Sequence, residues 1–304
     1  MSEKTLILSY SSIRTYLNCR RMYALEKIKK IRSRKTGVAL YIGKACHAFI
    51  EAWYEGRGLD AALKALRNEF DTIPKNLLDK DELVELAIEQ ARSEAMMSAY
   101  TEAHVEDDRQ FQKHIMEKRV QIELIPGVVY EGYIDHLAQD MAGDWWIWET
   151  KTSGKAFANA DYFNRVMIDS QVCGYMRLGT EILGQPPKGV YYDVILKTSH
   201  SQRKTEALSA FIKRLTDLYR AEWKSEGLFI RREFEIPNSR VNNWLKNTRF
   251  IAAEIQAARN RAESLWPMNT DHCQAKFGTC RYLPICTSGQ VDKLRYAIGD
   301  TIER

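Results

Sequence analysis

The chain has 304 residues, of which 45% are hydrophobic and 28% charged, and its 45 Lys and Arg against 40 Asp and Glu give a net charge of +5. This composition excludes a disordered or fibrous chain, allows a sizeable core, and makes the basic excess only a mild pointer to a polyanionic partner. No uninterrupted apolar segment of about 18 residues is present, and Met1-Ser2-Glu3-Lys4 lacks a signal-peptide plan. The expectation is an intracellular, cytoplasmic protein with no membrane partner, whose cysteines serve metal binding rather than disulfides.

In chain order, Ser11 or Ser12 can cap a first helix that carries Ile13, Tyr16, Leu17, Tyr23, Ala24 and Leu25, with Gly37 after its basic end. Lys27, Lys29, Lys30, Arg32, Arg34 and Lys35 crowd that end, and can either track phosphates or form a solvated helix terminus. Tyr10, Tyr16, Tyr23 and Tyr41 nearby can stack bases, although core packing is the commoner fate. A second helix begins near Gly43, carries His47, Ile50, Glu51 and Tyr54, and closes at Gly56 and Gly58; further helical patterns cover about 59–72 and 81–103. From about 117 the period changes to that of strands, with runs Arg119 to Ile125, Val128 to Ala138 and Trp145 to Lys151 separated by turn signals. These predict an antiparallel meander. A helix over about 160–183, a strand Gly189 to Leu196, a charged helix over about 203–226, a strand Phe229 to Ile236 and a long helix Ser239 to Ser264 follow. The order predicts a single α/β domain over 1–304, with a helical N-terminal region over 1–115, a core over 116–236 and a C-terminal segment over 237–304.

The meander carries chemistry. Side chains alternate faces along a strand, so Glu149 and Lys151 share a face, and in-register pairing brings Asp135 to them. Two carboxylates and an ammonium suit Mg²⁺ or Mn²⁺ through hard oxygen ligands, with the lysine acting on a water or on phosphate charge. A bare Glu-x-Lys is usually an exposed cross-strand ion pair. Here Trp145, Trp146, Ile147 and Trp148 precede it, and a strand apolar on both faces is a central one, where an uncompensated Glu and Lys are costly.

Cys273, Cys280 and Cys286 fall among His272, Gly278 and Pro284, as a ligand loop would, and Cys19 can supply the fourth position if the chain ends meet. Four thiolates suit zinc or an iron–sulfur centre alike. His272 is a substitute ligand. Cys46 and Cys173 sit among apolar residues as inert core thiols.

Taken in order, Gly43-Lys44-Ala45-Cys46-His47, Gly132-Tyr133-Ile134-Asp135, Glu149-Thr150-Lys151 and Gln171-Val172-Cys173-Gly174-Tyr175 are framed by one cysteine before and three after. In this the chain resembles the RecB-like PD-(D/E)XK nuclease superfamily, in its iron–sulfur branch, from about Leu8 to Cys286. That branch includes AddB-like nuclease domains, the nuclease domain of eukaryotic replication helicase–nucleases, CRISPR-associated RecB-like exonucleases and phage relatives. The last gap, Cys280-x5-Cys286, matches the family; the first gap of six residues is longer than its usual two.

The resemblance implies a restriction-endonuclease-like mixed sheet flanked by helices, with a helical N-terminal region and a C-terminal cysteine-cluster loop. It implies a Mg²⁺- or Mn²⁺-dependent DNA exonuclease acting on single-stranded ends in recombination, repair or phage DNA processing. His47, Asp135, Glu149 and the Thr150 carbonyl would hold the ion, Lys151 would help activate water, and Gln171 and Tyr175 would orient the lysine or the DNA. Cys19, Cys273, Cys280 and Cys286 would bind a four-iron four-sulfur cluster, preferred to zinc on the resemblance alone. Two other readings stay open: a CRISPR-adaptation nuclease trimming prespacers with a protein partner, and a non-catalytic DNA-binding subunit with a structural metal.

Overall fold

The structure is a computed structural model and describes residues 5–34, 38–104, 108, 110–154, 160–262, 265–275 and 278–299. Lys35, Gly37 and Ser264, which figure in the sequence-based expectations, lie outside the described residues. The strands are β1 (Leu6–Leu8), β2 (Ile31–Ser33), β3 (Phe111–Ile125), β4 (Val128–Asp140), β5 (Trp145–Gly154), β6 (Gly189–Lys197), β7 (Phe229–Glu235), β8 (Gln274–Ala275), β9 (Gly278–Thr279) and β10 (Tyr296–Ile298). The α-helices are α1 (Tyr10–Asn18), α2 (Arg20–Tyr23), α3 (Val38–Tyr54), α4 (Leu59–Asp71), α5 (Lys80–Ala103), α6 (Ala160–Asn164), α7 (Ser170–Leu183), α8 (Leu208–Glu222), α9 (Asn238–Ala258) and α10 (Leu283–Ser288). The chain folds as two compact units, one of 1–36, 121–132 and 243–304, the other of 37–120 and 133–242.

In the second unit the sheet is mixed. Central β5 pairs antiparallel with β4 (Leu137↔Ile147) and parallel with β6 (Trp146↔Gly189 to Gly154↔Lys197), and β6 pairs antiparallel with β7. Its Trp146, Ile147 and Trp148 are buried, as a strand apolar on both faces requires. A parallel step between β5 and β6 needs a crossover, which α6 and α7 supply. Gly179 lets α7 approach β5 closely, because a Cβ there would meet Ile147 at 3.0 Å and Pro187 at 2.8 Å. Helices α3, α4, α5 and α8 pack together in this unit, with Phe211 and Leu215 of α8 buried against Ala95 of α5.

In the first unit β1 runs parallel to Val128–Tyr130 of β4. Helix α1 starts with a reciprocal cap between Ser9 and Ser12, breaks at Cys19, and continues as α2 and a π-turn over Ala24–Ile28. Tyr16 and Tyr23 pack edge to face at 5.6 Å and both rest on Trp266. A second cluster joins Leu25, Ile31, Tyr282, Ile285 and Tyr296, while β2 pairs with β10.

Several boundaries differ from the sequence reading for local reasons. Ser9, rather than Ser11 or Ser12, is the first cap, and its side-chain hydroxyl accepts the Ser12 N–H from an extended backbone position. Leu17, expected on an apolar face, is 58% exposed because the helix breaks two residues later. The predicted helix 160–183 is split at Asp169, whose carboxylate caps α7. The last long helix ends at Ala258, and α3 starts at Val38, with Gly43 inside it. Buried Tyr16 and Tyr23 serve the core and cannot stack bases. Lys27 pairs with Glu26, and the Arg34 side chain bonds the Lys293 carbonyl, so some of the basic run is structural. Among the described residues no helix is long and apolar enough to cross a membrane.

Candidate active site and cysteine pocket

The second unit gathers the predicted chemistry. Two residues beyond the last β4–β5 pair lie Asp135 and Glu149, so the two carboxylates come from facing strands. Helix α3 presents His47, whose Nδ1 is 3.1 Å from Asp135 Oδ2. Lys151, two residues along β5, forms a close ion pair with Glu149 and donates to Gln171 Oε1 at 2.9 Å. Gln171 Nε2 in turn donates to the Tyr175 hydroxyl at 3.0 Å, the contact their i, i+4 spacing on α7 allows. Asp169 fixes the start of that helix by accepting the Gln171 and Val172 N–H groups at 2.7 and 3.3 Å.

Burial sets the electrostatics. Glu149 is 1% exposed, and apart from the Lys151 ammonium no donor among the described residues reaches its oxygens. Desolvation raises its pKa, the nearby Asp135 charge adds to this, and Lys151 opposes it. Burial works against the charge on Lys151, but Glu149 outweighs it and holds the lysine above its ordinary pKa, as an ammonium. Desolvation likewise opposes charge on His47, and its hydrogen bond to Asp135 with the Asp135 and Glu149 charges raises its pKa overall.

Two acidic residues escaped the sequence reading. A pocket is lined by His47, Asp135 and Thr150 together with Glu51 and Glu117. Glu51 lies four residues after His47, a helical spacing that was available as a signal. Glu117 is a non-glycine residue at φ 44° within β3, a strained backbone that costs about 1–2 kcal/mol and clusters at functional sites. Partial burial, with the charges of Asp135 and Glu51, pushes its carboxyl up to about 7. Nothing in the local sequence marks that kink.

Behind the sheet, on the face opposite Glu149, Arg231 stacks over Trp148 at 4.3 Å and pairs with Asp193 at 3.1 Å and Asp108 at 2.8 Å. Tyr100 adds a short hydrogen bond to Asp193. Desolvation of Asp193 is overcome by Arg231 and its other partners, which lower its pKa. This buried network holds β5 at Trp148, next to Glu149.

In the first unit Cys19, Cys273, Cys280 and Cys286 line one small pocket with His272 and Asn269, so the first cysteine does meet the last three. Cys19 Sγ accepts the Asn269 N–H at 3.4 Å, and Cys273 Sγ turns to the Asn269 carbonyl at 3.9 Å. Burial raises the pKa of Cys280 and Cys286. Neither this cluster nor the carboxylate pocket is a formed ligand cage: among the described residues no group of three or more His, Cys, Asp or Glu is arranged to hold a metal ion. Within the two sites His47 pairs with Asp135, Lys151 with Glu149, and the Cys19 and Cys273 sulfurs with Asn269. Cys46 and Cys173 are buried, with thiols pushed up to about 12 and about 11, as inert core residues should be.

Asp135, Glu149 and Lys151 thus converge across two neighbouring strands of a mixed sheet flanked by helices. Residues 7–287 match the PD-(D/E)XK nuclease superfamily, and the chain belongs to it. Nucleases of this superfamily typically use divalent metal ions. Among solved structures, a candidate exonuclease from Eubacterium rectale is similar in fold, with a TM-score of 0.54 at 12% identity over 94% of this chain and 89% of that one. No curated protein matches the chain.

Proposed function

We propose that the protein is a Mg²⁺- or Mn²⁺-dependent DNA exonuclease acting at single-stranded ends, in recombination, repair or phage DNA processing. The observation that carries this reading is the relay Glu149–Lys151–Gln171–Tyr175 beside the His47–Asp135 pair. His47, Asp135, Glu149 and the Thr150 carbonyl would be the donors for a divalent ion, and the Glu149 carboxylate, buried with Lys151 as its charge partner at contact among the described residues, fits that role. When bound there, such an ion would supply Lewis-acid polarisation of a phosphate and a lowered pKa for water.

Lys151, held as an ammonium, cannot accept a proton; it aligns the attacking water and offsets charge on the phosphate. Gln171 and Tyr175 fix the lysine. Asp135 orients His47 through the contact with its Nδ1.

In the first unit we assign the four cysteines to a four-iron four-sulfur cluster that fastens Cys19 to the C-terminal trio. Their meeting at one pocket supports this. The test of the nuclease is digestion of end-labelled single-stranded DNA with Mg²⁺ or Mn²⁺, with and without chelator, by the parent and by Lys151→Ala. The parent should shorten DNA from an end and stop on chelation, and Lys151→Ala should be inactive. A Lys151→Ala protein that digests at the parent rate sinks the mechanism.

A further inference from the structure

The cross-strand register continues the catalytic face beyond Glu149. Glu149 on β5 pairs with Tyr192 on β6, which pairs with Arg232 on β7, and paired residues project to the same side of a sheet. The side chains confirm this. The ring of Phe163 in α6, which covers the face, lies 6.5 Å from that of Tyr192 and 6.3 Å from that of Phe234. Tyr192 is buried and its hydroxyl is bonded to Tyr162, so it forms a wall between the acidic site and the next strand. Arg232 lies past that wall. Its guanidinium stacks on the buried Phe163 ring at 4.3 Å, while the residue is exposed.

The charges of β7 and its neighbours differ in how they are used. Arg231 faces the other way and is committed to Asp193 and Asp108, Glu233 accepts from Tyr191, and Glu235 faces Lys188. Among the described residues no carboxylate pairs with Arg232. A planar cation laid on an aromatic face keeps its hydrogen-bonding edge directed outward and loses little freedom on meeting a phosphate. Two strand spacings put Arg232 about 10 Å from Glu149 across the sheet. A strand stacked at about 3.4 Å per nucleotide then brings a phosphate to Arg232 within about three nucleotides of the cleaved bond.

We propose that Arg232, fixed by Phe163, is a positioning residue that holds a backbone phosphate of the DNA strand near the scissile one. This rests on the nuclease reading above. The test compares parent, Arg232→Gln and Arg232→Lys full-length proteins by initial digestion rate against DNA concentration. A second measurement takes fluorescence anisotropy of a labelled single-stranded oligonucleotide across a salt series in chelator. Arg232→Gln should raise KM about 5- to 10-fold with kcat within about twofold, and reduce the salt slope of binding by about one. Arg232→Lys should recover the salt slope and some of the KM. Unchanged KM and slope in Arg232→Gln, or a fall in kcat at constant KM, overturns the proposal. A parent that binds the oligonucleotide but digests nothing refutes the nuclease reading instead, and the salt slopes still decide Arg232. A parent that neither binds nor digests refutes both.

Discussion

Lys151 Nζ lies 2.9 Å from the side-chain carbonyl of Gln171, a residue on the crossover helix rather than on the sheet. The same ammonium pairs with buried Glu149, so its position is fixed from two sides, by a charge on its own strand and by a neutral acceptor opposite. The neutral acceptor matters because a second carboxylate there would compete for the lysine and blunt the action on phosphate proposed for it.

Removing that acceptor should therefore harm orientation more than binding. Gln171→Ala is expected to lower kcat about 10- to 100-fold with KM little changed, since a misplacement of about 1 Å can cost that much. Tyr175→Phe, which removes only the hydroxyl that receives the Gln171 amide, should cost less than Gln171→Ala. Steady-state digestion of a labelled strand separates the two parameters. An unchanged kcat in Gln171→Ala would show that Glu149 alone positions the lysine.

The sheet was legible from short-range rules, whereas the relay residues were marked by the family resemblance, with spacing adding only that two of them share a face. The unbroken apolar run before Glu149 marks a central strand, and i, i+4 spacing puts Gln171 and Tyr175 on one helical face. Asp169 broke the predicted helix 160–183 because a short carboxylate can cap a new helix start, which periodicity does not register. Glu117 was missed for a different reason. Its place in the pocket depends on a left-handed backbone kink that only tertiary packing imposes. The Arg231–Asp193–Asp108 network was also hidden, because its members are scattered over more than a hundred residues and carry no local pattern.

Glu117 supplies a pH prediction. Its carboxyl is raised to about 7 in the folded protein, against about 4.3 for an ordinary glutamate. Between those values the folded state holds more protons than the unfolded one, so this group makes stability fall as pH rises from about 4.5 to about 7. Water reaches much of the side chain, which tempers the size of the effect. Melting temperatures of parent and Glu117→Gln, measured in chelator from pH 4.5 to 8, should diverge in favour of the variant as pH rises. Parallel curves would mean that Glu117 titrates as a surface glutamate.

Arg231 tests the network behind the site. Asp193 is fully buried and Arg231 is its principal cation, so Arg231→Met leaves a charge in the interior and should destabilise by about 3–5 kcal/mol. Adding Asp193→Leu removes that charge and should recover some of the loss, even though it changes a second core residue. Urea unfolding of the three proteins measures both steps. A double variant no more stable than Arg231→Met would place the cost in the lost stacking on Trp148 and the stranded Asp108 rather than in Asp193.

Cys19 tests the metal centre proposed for the first unit. It is buried at the break between α1 and α2, and its sulfur reaches the Asn269 N–H across 250 positions of sequence. A centre bound by all four cysteines closes that long loop, so its binding energy becomes folding energy. Protein purified without oxygen should be brown and contain iron and sulfide, and Cys19→Ser should lose both while its melting temperature falls. Cys46→Ser, a change at a buried thiol outside the pocket, controls for the cost of altering any core cysteine, because it should keep its iron. A colourless parent with one zinc per chain would replace the cluster with a tetrahedral thiolate site on the same residues. Unchanged metal content and melting temperature in Cys19→Ser would remove Cys19 from the ligand set and leave His272, which lines the same pocket, as the next residue to substitute.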